Sequence, residues 1–191
     1  MKFEATPLQD VYLVKPDVFG DPRGFFLESW NAETFRAAGF DLPFVQDNHS
    51  RSARGILRGM HYQTEHTQGK LVRVTSGEVF DVVVDLRRSS PTLGQWYGEY
   101  LSADNHRMLW VPPGFAHGFY VLSETADVLY KATDFYSPQY ERSIVWNDPA
   151  LNIQWPTAGQ DPIVSQKDAE GATLETADLV DYADFSEGRS K

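Results

Sequence analysis

Between Val79 and Leu86 the chain alternates without a break. Phe80, Val82, Val84 and Leu86 share one parity, and Val79, Asp81, Val83 and Asp85 share the other, after a Ser76-Gly77 turn. A two-residue period belongs to extended backbone, and a helix cannot put those two sets on opposite faces. The pattern begins at Lys70 and recurs at short spacing in Gly94–Leu101, His106–Val111 and Gly118–Leu122. A further strand over Asp127–Tyr136 would place Val128, Tyr130, Ala132, Asp134 and Tyr136 on one face. One short helix is predicted at Ala32–Ala38, with Asn31 as N-cap and Gly39 just past its end. An aromatic share of 14%, with 11 prolines and 14 glycines, suits the same design of short strands and turns. Many short strands with few helices predict an antiparallel sandwich, barrel or jelly roll.

The 191 residues are enough for one domain with a sizeable core. Their formal charge of −10 disfavours duplex nucleic acid or an anionic membrane as the main partner, though not a small anion in a basic pocket. Half of that charge lies in residues 157–191, where eight acids face three bases; such a stretch reads as a solvated tail or peripheral helix. Zero cysteines exclude a disulfide scaffold, a Cys-ligated zinc and a cysteine nucleophile. Met1–Leu8 has no apolar run like that of a signal peptide, and the apolar stretch near Trp110–Leu122 is too short to span a bilayer. A soluble cytoplasmic protein is expected.

No GxGxxG, GxxxxGK[ST] or GxSxG motif is present, which disfavours Rossmann, P-loop and serine-hydrolase chemistry. His61 and His66 lie five apart, and His117 ends a PxGxxH stretch from Pro112 like the second motif of metal-binding cupins. The matching HxH is absent, so a metal would need an improvised ligand set. Arg51, Arg54 and Arg58 fall within eight residues and are followed by Lys70 and Arg73, with Arg23 earlier. Arginine forks suit a diphosphate, but scattered arginines also pair with surface acids. His61 could act as a general base near neutral pH, or it could be a structural strand histidine. Tyr130 and Tyr136 could face one cavity as core or rim aromatics, Lys70 could be solvated, and Asp168 taken alone reads as surface.

Along the same chain stand Asp21–Glu28, Gln46–Ser50, Gly55–Gln63, Gln68–Arg73, Gly77–Leu86, Leu109–Phe119, Leu129–Lys131, Tyr136, Glu141-Arg142, Trp155-Pro156 and Ser165–Asp168. Taken together, and in this order, these stretches resemble the dTDP-4-dehydrorhamnose 3,5-epimerase family. The resemblance covers residues 1–175 as a single epimerase domain and leaves 176–191 as an acidic C-terminal extension. Met60 and Phe135 depart mildly from the family pattern, where Leu and Tyr are expected.

The resemblance implies a mainly β, cupin-type jelly roll (double-stranded β-helix) with a few short helices. It also implies a homodimer, a dTDP-sugar substrate, no nucleic-acid or membrane partner, and no metal or organic cofactor. By the same resemblance His61 is the general base, oriented by Asp168, and Tyr130 is the proton donor on the opposite sugar face. Lys70 stabilises the enolate oxygen, and Tyr136 stacks on the thymine. Arg23, Glu28, Gln46, Asp47, Asn48, Arg58, His117, Glu141 and Lys167 match substrate-binding positions. The implied reaction inverts C3 and C5 of dTDP-4-dehydro-6-deoxy-D-glucose to give dTDP-4-dehydro-L-rhamnose. A mono-epimerase, a metal-dependent cupin enzyme and a non-catalytic sugar-nucleotide binding protein are the alternatives.

The residue types suit that chemistry. A C4 ketone acidifies the hydrogens on C3 and C5, a nearby cation stabilises the enolate, and inversion needs an acid on the face opposite the base. One spacing conflicts with it. Arg58 and His61 are an odd number apart, so in a regular strand they point to opposite faces; Gly59 marks a bulge, or the two line different parts of the site.

Overall fold

The computed structural model describes residues 1–41 and 43–181. The strands near the N-terminus are β1 (Lys2–Ala5), β2 (Tyr12–Lys15), β3 (Val18–Asp21) and β4 (Gly24–Leu27). After helix α1 (Ala32–Ala37) come β5 (Gln46–Ala53), β6 (Leu57–Gln63), β7 (Lys70–Ser76), β8 (Glu78–Asp85) and the short β9 (Arg87–Arg88). They are followed by β10 (Trp96–Ser102), β11 (Met108–Val111), β12 (Phe115–Val121), β13 (Thr125–Ala132) and β14 (Glu141–Ser143). Helix α2 (Gln166–Ala169) and strand β15 (Val180–Asp181) close the described chain.

Two antiparallel sheets carry the architecture. One has the order β1-β2-β11-β7-β13-β5 and the other β10-β8-β12-β6-β14. Neighbours distant in sequence, such as β11 between β2 and β7, give the wound topology of the expected jelly roll. The inner faces meet in a core that includes Val72, Val74, Val79, Val83, Leu109, Phe115, Phe119 and Val128. Each outer face is covered in turn. Phe35 and Phe40 in and just after α1 pack on Leu71, Met108 and Trp110 of the six-stranded sheet. The chain from Ile144 to Val180 lies over Met60, Tyr62, Phe80, Val82 and Val84 of the five-stranded sheet. Both parities of β8 are therefore buried, and its alternation sorts two cores rather than core from solvent.

Three expectations need correction. The strand predicted to reach Tyr136 ends at Ala132, because Thr133 Oγ1 turns to accept the Gly69 N–H at 2.8 Å and Asp134 lies in a bend. The predicted helix forms with Asn31 Oδ1 capping Glu33 and Thr34 but ends at Ala37, one residue short of the prediction; α2, which Ser165 caps, falls in the stretch read as a tail or peripheral helix. The stretch read as a solvated tail or peripheral helix instead docks on the barrel: Ile163 bridges to Ile56, Ala172 to Ile144, and β15 pairs in parallel with β9. Residues 182–191, most of the expected extension, lie outside the described residues. Among the described residues no helix is long and apolar enough to cross a membrane.

Candidate active site

The parity conflict in β6 is resolved by a bulge. Across the β6–β12 ladder His117 faces His61 while Phe119 faces Arg58, so three steps along β6 match two along β12. Gly59 holds φ at +130°, and a Cβ there would sit 2.5 Å from the Gly118 Cα. Gly118 is equally confined, with the Arg58 carbonyl 2.7 Å from where its own Cβ would be. The glycine pair lets the two backbones meet, and the extra residue brings Arg58 and His61 to the same cleft. That cleft, of about 170 Å³, opens at one end of the barrel between the two sheets; Lys70, Tyr130, Tyr136 and Glu141 also line it.

On one wall, His61 Nε2 lies 2.6 Å from Asp168 Oδ1. Asp168 is delivered by α2, where Ser165 Oγ accepts its backbone N–H, and it is only 3% exposed. The Gly59 N–H donates to its other oxygen at 3.3 Å. Burial alone would push this carboxyl up. The hydrogen bond and charge of His61, with the Gly59 and Ser165 bonds, outweigh burial and hold it below the usual carboxylate range. An ionised Asp168 fixes the tautomer and plane of the imidazole.

The opposing wall comes from β7 and β13. Lys70 is buried at the start of β7, and its ammonium makes no hydrogen bond or salt bridge with any other described residue. Burial lowers its pKa to about 8, against the pull of the Asp81 and Glu141 charges. Tyr130 is half-buried; burial and the Glu141 charge push its phenol up, opposed by Arg58, so it stays protonated at neutral pH. Asn48 stands opposite Tyr130 in the β5–β13 register, and Gln46 links Asn48 Oδ1 at 3.1 Å to the Tyr136 backbone N–H at 3.0 Å.

At the mouth, Glu141 accepts the Tyr136 hydroxyl at 2.6 Å and pairs with Lys167. Burial opposes its ionisation, but these two bonds win and keep Glu141 charged, while Tyr136 is pushed up to about 12 by the same contact. Arg58 donates from Nε to Ser52 Oγ at 2.8 Å. Deeper in, His117 Nε2 sits 2.9 Å from Asp81 Oδ2, with both side chains buried. Sequence reasoning passed over Asp81, although an acid flanked by Val79 and Val83 on one strand face is a signal that it needs a partner.

The structure does not bring every expected residue to the cleft. Arg23 pairs with Asp21 on the β3–β4 hairpin, and Glu28 accepts from Asn31 just after it; neither lines the cleft. Asp47 points to the outward side of β5 and pairs with Lys131, because it differs in parity from Gln46 and Asn48. The basic cluster divides in the same way. Arg58 and Lys70 face inward, while Arg51 pairs with Asp127 on the outer surface and Arg54 and Arg73 lie away from the cleft. His117 is engaged by Asp81, and among the described residues no three His, Asp or Glu side chains gather as metal ligands would.

Residues 5–176 match the family model described as dTDP-4-dehydrorhamnose 3,5-epimerase. This chain belongs to that family. The epimerase of this name from Pseudomonas aeruginosa is 61% identical over 179 residues, spanning 93% of this chain and 98% of the relative. The dTDP-6-deoxy-D-glucose-3,5-epimerase from Legionella pneumophila, solved with dTDP-4-keto-L-rhamnose, is similar with a TM-score of 0.92 and 49% identity, over 95% of this chain and 98% of that one. A 3′-monoepimerase from Streptomyces bikiniensis, solved with dTDP-quinovose, shares the fold at a TM-score of 0.87 and 33% identity, over 93% and 92% of the two chains. The jelly roll of this 3,5-epimerase family member thus serves relatives that invert two carbons and relatives that invert one.

Proposed function

We propose that this isomerase epimerises C3 and C5 of dTDP-4-dehydro-6-deoxy-D-glucose to give dTDP-4-dehydro-L-rhamnose, in dTDP-L-rhamnose biosynthesis. The observation that carries the reading is the convergence of a His61–Asp168 pair, a buried Lys70 ammonium without a partner among the described residues and a protonated Tyr130 on one cleft. His61 takes the proton alpha to the C4 ketone, and the electron pair moves onto the ketone oxygen as an enolate. Lys70 stabilises that oxygen, where charge develops in the transition state. Tyr130 then protonates the carbon from the other face, and the ketone re-forms with inverted configuration. His61 then gives its proton to solvent and Tyr130 regains one from it, and the same steps at the second carbon complete the reaction with no cofactor consumed.

Arg58, His117, Gln46, Asn48, Tyr136, Glu141 and Lys167 are proposed to hold the nucleotide and sugar, with Tyr136 stacking on the thymine. Arg23, Glu28 and Asp47 carry over from the family motif alone. A homodimer is proposed as the working unit; Phe19, Phe25 and Phe26 of the β3–β4 hairpin are 65%, 62% and 70% exposed, an apolar surface suited to a second copy. A cytoplasmic location fits a nucleotide-sugar substrate. The test is proton exchange in D₂O with the 4-keto-6-deoxy sugar nucleotide, read by NMR. Deuterium at both C3 and C5 is expected; incorporation at one carbon would make this a mono-epimerase, and none at either would overturn the assignment.

A further inference from the structure

Asp81 stands at the centre of β8, is 0% exposed, and turns inward between Val79 and Val83. A carboxylate there loses all hydration, so its partners must replace it. Both oxygens lie within reach of His117 Nε2, at 3.0 and 2.9 Å. That contact makes Nε2 a donor and leaves Nδ1 as the free nitrogen of His117. The imidazole ring meets the Tyr130 ring edge-on, with centroids 6.5 Å apart, so the acid and the Asp81-bound histidine share one contact.

We propose that Asp81 is a positioning residue of the epimerase site: it fixes His117 through Nε2 and is the buried counter-charge of the Lys70 ammonium. The inference rests on the function proposed above. Among the described residues Lys70 has no partner in hydrogen-bond range; it lines the same cleft as His117, the residue that Asp81 holds, and Asp81 and Glu141 are the two negative charges that favour its protonated form. A carboxylate in direct contact would quench the cation. One held back by His117 keeps the ammonium charged yet free to meet the enolate oxygen. The other charged or titratable groups around Asp81 are few. Glu99 sits opposite on β10 but is held by Arg107 and Tyr97, while Arg58 and His61 on β6, Tyr130 on β13 and Glu141 on β14 face the same interior.

The test compares Asp81→Asn and Asp81→Glu with the unaltered enzyme, using pH profiles of kcat and kcat/KM together with nitrogen-15 NMR of His117 in the ligand-free protein. The unaltered protein should show His117 with its proton on Nε2; a proton on Nδ1 alone would overturn the proposal without touching the function. In Asp81→Asn, kcat should fall about tenfold or more, KM should rise as His117 loosens its hold on the substrate, and the alkaline limb should move down by about one pH unit. Asp81→Glu should return the limb toward its original position. A loss of rate in Asp81→Asn with the limb unmoved would reduce Asp81 to a structural residue and sink the idea. Absence of isotope exchange in the unaltered enzyme would instead condemn the proposed function, and the NMR result would stand apart from it.

Discussion

His61 Nε2 and Asp168 Oδ1 are 2.6 Å apart although 107 residues separate them in the chain. The carboxylate is buried and ionised, so its worth to the imidazole is orientation and charge together. Asp168→Asn keeps the shape and removes the charge. It should lower kcat by about 10²–10⁴-fold, measured as deuterium wash-in at C3 and C5. The same pair has a pH signature in stability. Because Asp168 titrates lower in the folded than in the unfolded protein, its contribution is complete above the ordinary carboxylate pKa and is lost as pH falls through its folded value. The stability gap between the parent and Asp168→Asn should therefore close on acidification, as read by chemical denaturation.

Tyr130→Phe separates exchange from inversion. His61 can still remove a proton and return a solvent deuteron to the same face, so wash-in should persist. Formation of the inverted product should drop by about 10²–10⁴-fold. Loss of both to the same extent would contradict the assignment of Tyr130 as the acid.

Lys70→Met should trade activity for stability. Burial lowers Lys70 to about 8, so the folded protein carries a penalty for the charged form below that pH. Between about 8 and the ordinary lysine value the unfolded chain binds the extra proton, and stability should rise with pH across that window. Replacing the ammonium with a methyl thioether should raise stability at neutral pH by about 1–3 kcal/mol, seen as a higher Tm, while turnover collapses. In the unaltered enzyme kcat should fall as pH rises through about 8, where Lys70 loses its proton.

Gly59→Ala tests the bulge. Its added Cβ meets the Gly118 Cα at 2.5 Å, and the backbone is already at φ +130°. A cost of about 2–4 kcal/mol is expected by thermal or urea unfolding. What activity survives should be disproportionately low, because Arg58 and His61 lose their common orientation.

Alternation in the sequence was enough to locate the strands, because a period of two survives whatever covers the outer faces. It could not say that both faces of β8 are buried, since the segment that covers one of them comes from residues 144–180. His61, Lys70, Tyr130 and Tyr136 were legible as chemical types, but Tyr136 reaches the cleft from a loop rather than by strand parity. Asp168 was legible only through family resemblance; on its own, an acid in an acidic stretch carries no sign that a four-residue helix will bury it. Arg51 and Arg58 looked equivalent in a line of basic residues. They lie on different strands: Arg51 points outward from β5 to Asp127, while the bulge in β6 turns Arg58 to the cleft.

The parallel bridges at Ile163 and Ala172 tie down the stretch that carries Asp168, and both are made late in the chain. During synthesis, the barrel strands with His61, Lys70 and Tyr130 emerge from the ribosome before the carboxylate that orients the base. A nascent epimerase therefore keeps Met60, Phe80, Val82 and Val84 uncovered for as long as its base is unoriented, and laying down the final strap closes the outer core and arms the site in one event.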